Sequence, residues 1–295
     1  MVKDGGFGKF HHIRELSPVD NQLVIRQNRD TLYSAGVFDL DAGSVTISMP
    51  DPGKRFMSLQ LITEDHYVPG VFYGKGDYTI TKEQAGTRYV MAAVRTLVNP
   101  NELDDLNAVH ALQDGVVARQ DRMGSFDVPK WDSVSQKKVR DALLQLAATL
   151  PDTEGTFGTK DTTDPVRHLI GTASAWGGNP EKDALYLTVN PAKNDGATTY
   201  RLTVGQVPVD GFWSVTVYNK DGYFTPNPRN AYSLNNITAQ RGSDGNTTIQ
   251  FGGCVDTTAN CLPTTPGWNY LVRLYRAQPQ VLDGQWTFPA AQLVS

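Results

Sequence analysis

Four consecutive polar or titratable side chains, Glu64-Asp65-His66-Tyr67, form the densest chemical cluster in the sequence. They follow a strand-like run, Phe56–Ile62, in which Met57, Leu59 and Leu61 share one face. Continuing that alternation sets Glu64 and His66 together on the opposite face, beside Gln60. A carboxylate and an imidazole two residues apart suit an acid–base pair, and imidazole exchanges protons near neutral pH. His66 and Glu64 are therefore the candidate catalytic residues; a solvated loop carrying a hydrogen-bonded histidine is the competing reading. No third ligand stands at metal-site spacing, so no metal is assigned, and the residues name no cofactor.

Arg29, Asp30 and Tyr33 form a second polar group. Arg29 can grip a carboxylate or phosphate through two parallel hydrogen bonds, or pair with Asp30. Tyr33 would complete the same wall. His168 falls in the first turns of an expected helix, where the positive dipole end keeps imidazole neutral. There it either orients a substrate or bonds a backbone carbonyl. His110 sits on the apolar side of another helical stretch and reads as a packed histidine. Trp213, Tyr218, Tyr223 and Tyr232 make either an aromatic platform for a sugar ring or the core and rim of a sandwich. The candidate substrate-binding set is thus Arg29, Tyr33, His168, Trp213 and Tyr218. Cys254 and Cys261, the only two cysteines, fit neither a C-x-x-C redox motif nor a four-ligand zinc site. They are either a small disulfide loop between strands or two buried thiols, and a bridge would point to an oxidising compartment. There is no G-x-S-x-G elbow, H-E-x-x-H or phosphate-binding loop. Asn219-Lys220-Asp221-Gly222 reads as a hairpin turn rather than a calcium loop.

These side chains need elements to position them. Short runs rich in Val, Ile, Tyr, Thr and Phe predict strands at Leu23–Gln27, Thr31–Phe38, Ser44–Met49, Phe56–Ile62 and Thr87–Arg95, with a sharp turn at Asp51-Pro52-Gly53. The period then changes. Leu103, Leu106, Val109, Leu112 and Val116 recur at helical spacing. A second helix is predicted from Ser133, with Gln136 closing a capping box and Val139, Leu143, Leu146 and Leu150 as its apolar face. A third opens at Asp164-Pro165 and stops near Trp176, before Gly177-Gly178. From Ala184 strands return, punctuated by Asp-Gly turns, with Trp213, Val215 and Val217 on one apolar face. The order is β, then α, then β, with little helix between strands, which favours antiparallel sandwiches.

A chain of 295 residues points to two domains. A net charge of −4 lacks the basic footprint of a nucleic-acid binder. The longest apolar run, Tyr89 to Val94, is far too short to span a membrane. The first six residues contain no apolar stretch of the signal-peptide kind, so no export signal is read in this chain.

Several ordered strings carry a family resemblance. They are Asn28-Arg29-Asp30-Thr31-Leu32-Tyr33-Ser34, Gly86-Thr87-Arg88-Tyr89-Val90 with Arg95-Thr96, Leu112-Gln113-Asp114 and His168-Leu169-Ile170-Gly171-Thr172. They continue with Gly211-Phe212-Trp213-Ser214-Val215-Thr216-Val217-Tyr218, Leu262-Pro263, Val272-Arg273-Leu274-Tyr275 and Leu282-Asp283-Gly284-Gln285-Trp286. From about residue 20 to the end, the chain resembles bacterial proteins that pair domain of unknown function 1254 with domain of unknown function 1214, in a shorter, cysteine-bearing branch. The resemblance implies a mainly β fold: an immunoglobulin-like sandwich over residues 1–120, a helical linking segment over 121–178, and a jelly-roll sandwich over 179–295. It also implies export to the periplasm or exterior, because many relatives carry export signals. It supplies no reaction, and a jelly roll hosts binding proteins, enzymes and capsids alike. Three functions follow as expectations. The first is an extracytoplasmic enzyme acting by acid–base chemistry on a small polar or carbohydrate-like substrate at the interdomain cleft. The second is a non-catalytic carbohydrate or small-molecule binding protein using the jelly-roll face. The third is a structural or assembly protein. The expected partner is a small-molecule or carbohydrate ligand, with no nucleic acid and no membrane span; no motif encodes an oligomeric state.

Overall fold

The computed structural model describes residues 1–22 and 25–294. The chain forms two compact units, residues 1–16 with 31–181 and residues 17–30 with 182–295. Both are built from β-sheets packed face to face. The fold is mainly β, as the strand pattern predicts.

The first unit contains β1 (His11–Ile13), β2 (Thr31–Asp39), β3 (Val45–Met49), β4 (Met57–Thr63), β5 (Val71–Tyr73), β6 (Gly76–Ile80), β7 (Tyr89–Leu97) and β8 (Val117–Arg119). One antiparallel sheet has the order β1-β2-β7-β4-β5, and the other β6-β3-β8. Alternation along each strand makes the core. Val45, Ile47 and Met49 from the small sheet meet Met57, Leu59, Leu61, Val90, Ala92 and Val94 from the large one. Apart from Ala92, each of these side chains contributes about 1.5–3 kcal/mol when fully buried. The opposite face of the large sheet carries Tyr33, Gln60 and Arg95, with Tyr33 and Ser58 flanking Arg95 in register. Helices α1 (Lys82–Ala85), α2 (Leu103–Asp114), α3 (Ser133–Ala147) and α4 (Pro165–Ser174) complete the unit. His110, on α2, is held by the Arg14 carbonyl at 2.9 Å, a structural contact. Asp164 caps α4 by accepting from the Val166 and Arg167 amides, as its sequence predicts.

Two helix expectations need correction. The cap of α3 is Asp132, whose carboxylate accepts from the Val134 amide, and not Ser133. Aspartate one residue earlier reaches the same free amides. The apolar face is also only partly covered: Leu143 and Leu150 are half-buried, while Val139 and Leu146 are 57% and 51% exposed.

The second unit contains β9 (Ala184–Val189), β10 (Tyr200–Val204), β11 (Trp213–Tyr218), β12 (Ser233–Asn235), β13 (Thr247–Phe251), β14 (Cys261–Leu262), β15 (Asn269–Tyr275), a short α5 (Pro279–Leu282) and β16 (Gln292–Leu293). Its sheets have the orders β12-β11-β15-β9 and β14-β13-β10-β16, antiparallel except at β13–β14. Trp213, Val215 and Val217 face Leu202, Val204, Ile249 and Phe251, and Trp268 stacks on Phe251 at 5.2 Å. Asn219-Lys220-Asp221-Gly222 is a turn. The Asn219 carboxamide oxygen accepts from the Asp221 and Tyr223 amides, and Gly222 takes φ +84°.

Residues 17–30, placed by sequence order within the first sandwich, belong to the second unit. Their backbone carbonyls accept from Tyr218 and Arg273, and Asp30 binds β12. Of the strand expected at Leu23–Gln27, Leu23 and Val24 lie outside the described residues. Ile25 and Arg26 form a turn instead, with the Arg26 amide bonded to the Gly222 carbonyl at 2.8 Å.

Cys254 and Cys261 form a disulfide, with Cα atoms 5.7 Å apart, across the loop joining β13 to β14. Arg229 donates to the Val255 and Thr258 carbonyls of that loop at 3.0 and 3.1 Å. Closing so short a loop restricts the unfolded chain by about 2 kcal/mol. Replacing both cysteines by serine is expected to lower stability by about that amount in urea unfolding; an unchanged midpoint would show that the bridge constrains nothing.

Candidate functional site

The turn between β4 and β5 does not continue the alternation of β4. The Thr63 and Tyr67 backbones pair at 3.0 Å, and the His66 amide bonds the Thr63 carbonyl at 3.0 Å. Within this tight turn His66 adopts φ +68°, a left-handed conformation uncommon for any residue with a Cβ. That single inversion separates the two expected partners. His66 becomes 2% exposed, while Glu64 stays at the surface and accepts from the Tyr89 amide at 3.0 Å. Among the described residues no hydrogen bond joins them, so the acid–base pair expected from strand parity is not assembled.

Both ring nitrogens of His66 are engaged. The Gly177 amide donates to Nε2 at 2.8 Å. Nδ1 lies 3.2 Å from the Thr172 hydroxyl, which donates its own proton to the His168 carbonyl at 2.8 Å. The hydrogen between His66 and Thr172 must therefore sit on Nδ1. Burial, reinforced by the neighbouring His168, pushes the His66 imidazole down to about 4, against an opposing pull from Asp65. The rings of Trp176, His168 and Phe157 surround it at 5.7, 5.9 and 6.1 Å.

His168 enters this cluster from α4, although nothing in its spacing announces the contact. Its Nε2 faces the Asp65 carbonyl at 2.9 Å and its Nδ1 the Thr156 carbonyl at 3.3 Å. The Tyr67 ring stacks on it at 4.1 Å. Of its two readings, backbone bonding is the one the geometry displays.

Beside His66, the Gly177-Gly178 segment is gripped through its carbonyls. Arg95 donates to the Gly177 carbonyl at 2.9 Å and to the Gln60 side chain, and Gln60 donates to the Gly178 carbonyl at 2.7 Å. The Arg95 guanidinium lies over the Tyr33 ring at 5.5 Å. Gly177 has φ +78°, and a Cβ on Gly178 would lie 2.4 Å from the Phe157 ring, so both positions require glycine. Sequence reasoning missed Arg95, Thr172 and Gly177 as parts of one cluster. The available signal was polar residues, Gln60 and Arg95, on the outward face of otherwise apolar strands.

The remaining candidates do not join this cluster. Arg29 belongs to the second unit, where it bonds the Ser17 carbonyl and lies over the Tyr232 and Phe224 rings at 5.2 and 5.8 Å. Tyr33 belongs to the first unit. Trp213 is 5% exposed in the second core. Tyr218 is 1% exposed; its hydroxyl donates to the Gln27 carbonyl and accepts from Arg273, each at 2.7 Å. Burial pushes its phenol pKa up, with Arg273 opposing. Tyr232 is buried as well, and Tyr223 is half-buried. Nearby, Asp30 accepts from Ser233 and Asn235 at 2.8 and 3.1 Å, and Asn28 donates to the Tyr275 hydroxyl at 3.1 Å.

The second unit does carry open grooves, on either side of β16. Gln292 pairs with Arg201 and Leu293 with Tyr200 across β10. One groove, about 350 Å³, is walled by Val189, Pro191, Ala192, Leu293 and parts of Tyr200 and Tyr270. The other, about 460 Å³, is walled by Arg201, Thr203, Gln292 and Val294. Arg201 and Thr203 are the exposed positions of a strand whose Tyr200, Leu202 and Val204 are buried. The Arg201 guanidinium makes no hydrogen bond or ion pair among the described residues.

The depressed His66 value makes stability pH-dependent. Above about pH 6.5 imidazole is neutral in both states and the full contribution is present. As pH falls from there towards about 4, the unfolded chain takes up the proton and the folded one does not, so stability declines, by up to about 3 kcal/mol. Urea unfolding at pH 7 and pH 4.5 is expected to show this loss, and His66→Asn, which tolerates the left-handed turn, is expected to reduce the slope. Equal slopes in both proteins would contradict the assignment.

Comparison with known proteins agrees with the two-part organisation. Residues 7–120 match the family described as Protein of unknown function (DUF1254), and residues 184–279 the family described as Protein of unknown function (DUF1214). A search of curated proteins finds no significant match. Among solved structures, the VPA0106 protein from Vibrio parahaemolyticus is similar, with a TM-score of 0.73 at 20% identity, covering 91% of this chain and 90% of that one. An uncharacterised protein from Burkholderia cenocepacia is similar at a TM-score of 0.57 and 14% identity, covering 99% of this chain and 82% of that one. At these identities the likeness is one of fold. The two regions occur in the order the resemblance implies: the chain carries a DUF1254 region followed by a DUF1214 region.

Proposed function

We propose that this protein is an extracytoplasmic binding protein that holds a small amphipathic anion in the grooves flanking β16. The supporting observation is an apolar trough next to a cation without a partner among the described residues: Val189, Pro191 and Leu293 on one side, Arg201 with Gln292 and Thr203 on the other. Small-ligand sites combine apolar walls with a few polar groups that fix orientation. The Arg201 guanidinium has no hydrogen bond or ion pair among the described residues, and its fork geometry matches a carboxylate. The apolar wall favours an acyl or aromatic tail over a sugar, because the rings of Tyr200 and Tyr270 are turned into the core against Trp268. The disulfide supports the extracytoplasmic part, since such bridges persist in oxidising compartments. Binding is favoured over turnover because both His66 nitrogens are committed and Glu64 is spent on a backbone amide.

Isothermal titration with octanoate and with 1-octanol tests the reading. Octanoate is expected to bind saturably, and Arg201→Gln to weaken it about tenfold, the effect of losing one charge-assisted contact, while leaving 1-octanol unchanged. Absence of saturable octanoate binding, or equal binding by Arg201→Gln, would contradict it.

A further inference from the structure

Large apolar side chains left in water concentrate on one part of the first unit. Trp131, Val134, Val139 and Leu146, on or just before α3, are 72%, 64%, 57% and 51% exposed, and Leu169 and Trp176, on or just after α4, are 55% and 52% exposed. Scattered surface leucines are ordinary; this density within a few turns marks an interaction site. Helix α3 makes the point most sharply. It runs 15 residues with none buried, and its link to α4 includes the Arg140 side chain donating to the Ala173 carbonyl at 3.3 Å. Leu143, Leu144 and Ala147 are half-buried, which leaves Val139 and Leu146 in water. Val139 and Leu146, seven residues apart, lie on one side of the helix.

The charge pattern selects the occupant. Residues 130–147 carry Lys130, Lys137, Lys138 and Arg140 against only Asp132 and Asp141, in a chain whose net charge is −4. Asp132 is occupied as the helix cap and Asp141 pairs with Lys137, so both carboxylates are spent within the helix. Lys130 and Lys138 have no ion pair among the described residues. Cations flanking exposed tryptophan, valine and leucine are the composition of a helix that lies flat at a lipid interface. Tryptophan favours the headgroup level, and lysine reaches from the apolar side to anionic headgroups. A second copy of the chain would bring the same cations together.

We infer that the α3–α4 hairpin is a peripheral docking surface for an anionic lipid bilayer. The apolar side chains enter the headgroup–acyl boundary, and Lys130 and Lys138 meet lipid phosphates. No helix of the described residues is long and apolar enough to cross a membrane, so the contact is interfacial.

Co-sedimentation of the full chain with vesicles of equimolar phosphatidylglycerol and phosphatidylcholine tests this, with pure phosphatidylcholine as the comparison. Binding to the mixed vesicles is expected, with at least tenfold weaker binding to neutral ones and for the double variant Lys130→Glu/Lys138→Glu. Trp131→Ser is expected to weaken binding to the anionic vesicles at unchanged charge. Circular dichroism of each variant confirms that the fold is retained. No binding to anionic vesicles, binding indifferent to the lysine changes, or a dimer in sedimentation that forms without lipid affinity would each overturn the inference.

Discussion

The hydrogen bond from the Gly177 amide to His66 Nε2 ties the β4–β5 turn to the end of α4. Around it the first unit's outward sheet face is organised. Forming it requires His66 in a left-handed turn, a conformation costing about 1 kcal/mol or more, which persists only where the surroundings over-determine it. Those surroundings are the Thr63–Tyr67 backbone pair beneath, Thr172 on the other nitrogen, and the ring cage of Trp176, His168 and Phe157. The same peptide segment is held through its carbonyls by Arg95 and Gln60. A neutral imidazole suits this position because it offers one donor and one acceptor. Protonation would give Nε2 a hydrogen pointing at the Gly177 amide.

Each unit uses a buried arginine in the same way. Arg95 on β7 and Arg273 on β15 lie on sheet faces turned away from their sandwich cores. Each spends its guanidinium on backbone carbonyls of a crossing segment, Gly177 in one case and Arg26 in the other. Carbonyl acceptors satisfy a buried cation without adding a second charge, and the guanidinium fork can reach several acceptors at once. Two segments with little regular structure are thereby fastened to sheets. This accounts for how residues 17–30 come to be part of the second unit. It also explains why polar residues that look reactive in the sequence, including Tyr218 and Asp30, are absorbed into supporting networks.

Strands and turns were legible because each rests on local physics. Alternation marked β2, β3, β4, β7 and β11, and Asp164-Pro165 marked the start of α4. The family strings and the β–α–β order pointed to the two-sandwich fold. The site was less legible, for three identifiable reasons. Parity cannot foresee a left-handed residue, so Glu64 and His66 were placed on one face that the turn at His66 splits. Alternation says which residues leave the core but not whether the outer face is covered, so platform and core both stood open for Tyr218, which is interior. Helical spacing finds an apolar stripe but not its partner, so it does not tell that Val139 and Leu146 of the α3 stripe face solvent. Arg201 and Gln292 meet only through the pairing of β10 with β16, ninety residues apart in the chain, and no local pattern signals that.

His66 is a neutral pin and not a proton carrier. Long-range proton–nitrogen NMR of the histidine rings reads this directly. The His66 ring is expected to be protonated at Nδ1 and bare at Nε2, unchanged from pH 8 to about pH 5, with protonation only near 4. A His66 ring that carries its proton on Nε2, or that titrates near the ordinary value of about 6.5, would contradict it.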